Sequence, residues 1–211
     1  MKIQSLLVLL VFCTAFACKD AKEKKPAVER SPSDSIIHNA PEIPANPYAN
    51  IDISPMDMSY YPVDYPKLKM AGTITDAPVA RVIYSRPHLQ KRHLFKDLLK
   101  YDEPWRLGAN EATEIDLYKP VTIQEEKVKP GRYVLYAIPR PDKWTIVLNS
   151  NIDSWGLRID STKDIHRFDV PVTTTNTVQE YFTMVFENGK DRTGDLLITW
   201  DNLLARLPFS Y

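Results

Sequence analysis

The chain has 211 residues, and its 27 lysine and arginine side chains are balanced by 27 aspartates and glutamates, which leaves no basic face for nucleic acid. Glycine is scarce (6) and proline abundant (17), and neither GxGxxG nor GxxxxGK followed by Ser or Thr occurs, so the common nucleotide-binding readings fall. The length suits one domain of roughly 100–200 residues plus a tail, enough to bury a core without a metal or disulfide staple.

Met1-Lys2, the apolar run Leu6–Phe12 and the small residues up to Cys18 describe a secretory signal over residues 1–17. The run is too short to span a hydrocarbon core of ~30 Å. Ala15-Phe16-Ala17-Cys18 resembles a bacterial lipobox, with Ala15 where leucine is usual, and Cys18 is expected to carry acyl chains such as palmitate. Cleavage before an unmodified cysteine is the rival, since Ala-Phe-Ala also suits ordinary secretion. Phe12 is too large to precede a cut at Cys13. The only cysteines are Cys13 and Cys18, so the folded part is expected to use no disulfide, thiolate or zinc–cysteine chemistry.

Residues 18–58 read as a lipid-anchored tether. Eight prolines and no glycine fall between Lys19 and Pro66, and Lys19–Lys25 is nearly all charged, a composition that cannot offset chain entropy by burial. Asp34-Ser35-Ile36 resembles a short bacterial O-glycosylation motif. Aromatics return at Tyr60, Tyr61 and Tyr65, where a first edge segment can pack on the domain expected over residues 59–211.

From there the hydropathy period is two. Strands are predicted at Val79–Ser85, Glu114–Lys119, Val121–Gln124, Arg132–Ile138, Lys143–Asn149, Arg167–Val172, Glu180–Glu187, Asp195–Trp200 and Leu203–Phe209. Leu94–Leu99 reads as one short helix. The fold class expected is all-β, an antiparallel β-sandwich or jelly roll behind a signal peptide and a disordered proline-rich tether.

Three segments interrupt the strand rhythm with large polar and aromatic side chains: Tyr84-Ser85-Arg86-Pro87 with Lys91-Arg92, Trp105–Thr113, and Trp144-Thr145, Asn149 and Trp155-Gly156. Together, YSRP…KR…WRxGANExT…PGxYxLYxIP…WTxxLN…WG resembles a family of Bacteroidota secreted lipoproteins bearing a domain of unknown function, over roughly Lys67 to Tyr211. The resemblance implies an extracytoplasmic, mostly β domain without established activity, substrate or catalytic residues. Departures are Lys91 where a glycine usually precedes the arginine, Leu107 for threonine and Val134 for glycine.

Arginine offers a planar donor fork for carboxylate, phosphate or sugar hydroxyls, and tryptophan a face for stacking. Arg86, Arg92, Trp105, Arg106, Asn110, Trp144, Asn149 and Trp155 are therefore the candidate ligand-binding residues, with Arg86, Arg106 and Asn110 expected in one site. The same residues also suit an architectural role, tying down loops and filling the core. Glu111 beside Arg106 reads as an ion pair. A carboxylate pair Glu111/Glu114 would support glycoside hydrolysis, whereas His88, His93 and His166 do not make a metal set. The reading is a lipoprotein of the cell envelope, in the outer membrane and facing periplasm or exterior, held through lipidated Cys18. It carries a non-catalytic domain for a carbohydrate, another polar small ligand or a partner, without cofactor, metal or nucleic acid. A carbohydrate-active envelope hydrolase and a purely structural lipoprotein are the alternatives.

Overall fold

The computed structural model describes residues 54–211; the expected signal peptide, Cys18 and residues 18–53 of the tether lie outside them. The elements are β1 (Met56–Tyr61), α1 (Tyr65–Met70), β2 (Ala80–Ser85), β3 (Thr113–Leu117), β4 (Val121–Ile123), β5 (Glu126–Val128), β6 (Gly131–Pro139), β7 (Lys143–Asn149), β8 (Asp164–Asn188) and β9 (Thr193–Ser210). All pairing is antiparallel, in the order β1-β2-β3-β6-β7-β8-β9-β4-β5.

The all-β expectation holds, and one strand makes the sandwich. β8 pairs with β7 from Asn149↔Asp164 to Lys143↔Pro171, then leaves it and pairs with β9 from Val172↔Ala205 to Asn188↔Gly194. Its two halves thus belong to two ladders. β1 occupies the edge beside β2, where the aromatic-rich segment was expected to dock, and its Ser59 Oγ accepts from Phe186 N of β8 at 3.2 Å.

Sequence reading divided both β8 and β9 in two, and the structure supplies the reason. Along β9 the buried positions are Leu196, Ile198 and Trp200, then Ala205, Leu207 and Phe209, so the alternation changes phase. The shift falls at Asp201, in left-handed backbone at φ +56. On β8 the pairing slips between Thr174 and Gln179 and again between Gln179 and Thr183, across a threonine-rich stretch without an apolar alternation. Such bulges bend a strand without ending it.

The helix expected near Leu94–Leu99 is a single wide turn, Leu94–Leu98, closed by Leu99 N donating to Leu94 O at 2.8 Å. α1 was not anticipated. Pro66 sits in its first turn, where the missing N–H costs nothing, so a proline-rich reading hid a legitimate helix start.

The core is aromatic at its centre. Trp105 stands edge-on to Trp144 (5.6 Å) and Phe182 (4.9 Å) and stacks on Trp200 (5.8 Å), while Tyr84 meets Phe182 edge-on at 5.7 Å. These rings come from β2, β7, β8, β9 and the loop after the wide turn. Such contacts add roughly 0.5–1.5 kcal/mol each beyond area burial.

A candidate ligand site where two loops cross

The candidate residues separate into those consumed by the fold and those left over. Trp144 is fully buried on β7, with its indole N–H unpartnered, and Trp105 is 7 % exposed; both are core. Asn149 is 2 % exposed and donates to Asp160 O (2.9 Å) and Asp164 Oδ1 (2.7 Å), while Asn151 N donates to its carbonyl (2.8 Å). Asp164 also accepts from the Tyr136 hydroxyl at 2.8 Å and from Arg167 at 2.6 Å. This hub fixes both ends of the loop between β7 and β8.

Arg86 is spent on β8. Its guanidinium donates to Phe182 O (3.2 Å), Thr183 Oγ1 (3.1 Å) and Asp57 Oδ2 (3.2 Å), and it lies 5.8 Å from the Tyr181 ring centre. Phe182 N donates to Pro87 O, and Leu89 N to Glu180 O. The segment 86–92 thereby satisfies backbone groups that the bulged part of β8 does not offer to β9. Arg92 closes the same loop, donating to Leu89 O and His88 O at 2.9 Å each. Lys91 before it has φ +64, a conformation glycine adopts without cost, which accounts for the glycine usual there.

The Trp105–Thr113 segment is wound tightly. Leu107 is buried at φ +53 and Asn110 lies at φ +58. The Thr113 hydroxyl donates to Leu107 O at 2.5 Å, and a Cβ on Gly108 would stand 3.0 Å from Ser85 O. Trp155-Gly156 crosses this loop. Gly156 has φ +75, and a Cβ there would lie 3.1 Å from the Ala112 Cα and Cβ and from the Arg106 Cβ. A side chain at 156 would therefore wedge the two loops apart.

Each side of the crossing holds a cavity. One, about 240 Å³, is lined by Leu98, Leu99, Pro104, Arg106 and Leu157, with the Lys100–Glu103 pair at its rim. The other, about 290 Å³, holds Glu111, Glu114 and Asp153 with Met56 and the exposed Trp155. Arg106 and Glu111 thus face different cavities, and the expected ion pair between them does not form. The Arg106 Nε is buried without a hydrogen-bond partner, and no ion pair reaches the guanidinium among the described residues. Burial lowers the guanidinium below its ordinary 12.5, with no opposing carboxylate. Arg86 sends its donors to β8 and β1, and Arg106 opens into the cavity, so the structure gives these two candidates separate surroundings. Among the described residues, no three His, Cys, Asp or Glu side chains are grouped to hold a metal ion.

Sequence reasoning picked out Arg106 and Trp155 but did not see that Gly156 joins their loops. The dipeptide Trp155-Gly156, read for its ring, carried that signal in its glycine.

A bent antiparallel sandwich with a two-loop crossing at one end is the class of domain these observations define. The chain belongs to the family described as Protein of unknown function (DUF2911), whose model matches residues 66–209. No curated protein and no solved structure matches it.

Proposed function

We propose that this chain is an outer-membrane lipoprotein of the bacterial cell envelope, anchored through Cys18, whose β domain binds a polar small ligand without catalysis. The observation that carries the reading is Arg106. Trp105, Gly108, Thr113 and Gly156 around it each have a packing or hydrogen-bonding task, whereas its partly buried guanidinium opens into a cavity and meets no partner among the described residues. An arginine held this way costs stability unless something outside the fold compensates it. Arg86, Arg92, Trp144 and Asn149 are then taken up by the fold, Trp105 lines the Arg106 cavity, and Trp155 lines the second cavity across the crossing.

The test of the binding half is a thermal-shift panel of neutral sugars, carboxylates and phosphates on the full chain and on Arg106→Met. Saturable protection that needs Arg106 supports it; protection unchanged by the substitution removes it. The anchor is tested by Cys18→Ser. The variant is expected to leave the detergent phase on membrane fractionation, and retention there would sink the lipid assignment.

A carbohydrate-active hydrolase is the second reading, favoured by the acidic cavity in which Glu111, Glu114 and Asp153 face the exposed ring of Trp155. It requires glycan turnover by the purified chain that vanishes in both E111Q and E114Q.

A further inference from the structure

We infer that the Arg106 cavity takes a small monocarboxylate with a short apolar body, an inference that rests on the reading of this crossing as a ligand site. Three features lead there. The donor is a guanidinium, whose planar fork matches a carboxylate in bidentate geometry. Its Nε is buried and the terminal amino groups meet no acceptor among the described residues, so a carboxylate arriving on those terminal donors gains a charge-assisted pair without displacing a protein partner.

The charge inventory sets the ligand's charge. Lys100 and Glu103 at the rim pair with each other at 3.4 Å and cancel, which leaves Arg106 as one net positive charge. A monoanion neutralises it, whereas a phosphate dianion would leave a surplus negative charge beside Glu103.

The walls set the body. Leu98, Leu99, Pro104 and Leu157 share the lining with Lys100 and Glu103, so a ligand with a short apolar segment covers the former while its carboxylate meets Arg106. An open cavity of about 240 Å³ suits a short acid, for which six-carbon hexanoate is the probe. The exposed Leu157 stands at the mouth, placed to cover an apolar tail.

The experiment uses the full chain with hexanoate, and with hexanol, hexylamine, inorganic phosphate and glucose as comparators. At ten times its Kd, hexanoate is expected to raise the melting temperature by roughly 3–6 °C. It should also change tryptophan fluorescence saturably, because Trp105 lines the cavity. Hexanol and hexylamine should do neither. Arg106→Met should abolish both responses, whereas Arg86→Ala, starting from a lower melting temperature, should keep the shift. Hexanol matching hexanoate, a response that survives in Arg106→Met, or no response to hexanoate would each overturn the inference. If hexanoate fails but phosphate or glucose protects the wild type and not Arg106→Met, the carboxylate class is wrong and the site stands. If no comparator protects and Arg106→Met melts as low as Arg86→Ala, both the inference and the site fall.

Discussion

Arg86 and Arg106 belong to the same sequence signature, yet the structure predicts opposite consequences for removing them. Arg86→Ala strands the Phe182 carbonyl at the β8 bulge, worth about 1 kcal/mol. The Asp57 pair, at 3.2 Å with the Asp57 side chain 42 % exposed, adds only a few tenths of a kcal/mol after solvent screening. The Thr183 hydroxyl bond and the face of Tyr181 contribute roughly 0.5 kcal/mol or more between them. The sum is about 2 kcal/mol, or roughly 4–8 °C in the melting temperature of a domain this size. Arg106→Met keeps the apolar stem and discards an uncompensated charge, so its melting temperature should stay level or rise. Thermal melts by circular dichroism at one pH and salt concentration decide the matter. A drop in Arg106→Met as large as that in Arg86→Ala would refute the reasoning and make Arg106 a structural residue with a partner the geometry does not contain.

Asp116 lies between Arg81 (2.5 Å) and Arg132 (2.9 Å); burial alone would raise its carboxyl, but these hydrogen bonds outweigh burial and hold it below its ordinary 3.8. Its contribution is therefore complete above the unfolded value and lost as pH falls through the depressed one, so Asp116→Asn should flatten the acid limb of the stability profile and cost about 2 kcal/mol at neutral pH; an unchanged acid limb in denaturant titrations would count against it. Burial pushes the Tyr84 hydroxyl from 10.0 up to about 12, and the stability linked to it is present below pH 10 and disappears as pH rises from there toward about 12. Tyrosinate absorbance of the folded protein should show several groups ionising late, Tyr136 among them, and one fewer in Tyr84→Phe. Gly156→Ala should cost roughly 1–3 kcal/mol, from left-handed backbone and from contact with Ala112 and Arg106, with denaturant melts as the measure and a neutral outcome showing that the loops are not in close contact.

The strands were legible wherever one face is buried, because the side-chain alternation is the strand itself written in one dimension. Lys143–Asn149 was placed to the residue. Legibility failed where two residues in succession share a face, as at Asp201, because the bulge that moves the phase depends on backbone angles that aspartate does not announce. β5 was missed because Glu126 and Lys127 are exposed and only Val128 is buried, so it has no apolar pattern to read. The site divides in the same way. That Arg106 and Trp155 belong to special loops could be seen in composition. Which arginine keeps a free fork could not, since it depends on whether groups distant in sequence, Asp57, Phe182 O and Thr183 for Arg86, come within reach.

Because β8 is hydrogen-bonded to β7 in its first half and to β9 in its second, the two layers share one unbroken backbone, and no hinge lies between them. A ligand arriving at the loop crossing therefore meets two layers that do not close on one another, and any adjustment is confined to the loops themselves. Association should then be a single bimolecular step whose observed rate climbs linearly with concentration, without the plateau that a slow closure of one layer on the other imposes. Residence time would depend on how well the occupant fills a preformed space, and affinity differences among related ligands would appear almost wholly in how fast they leave.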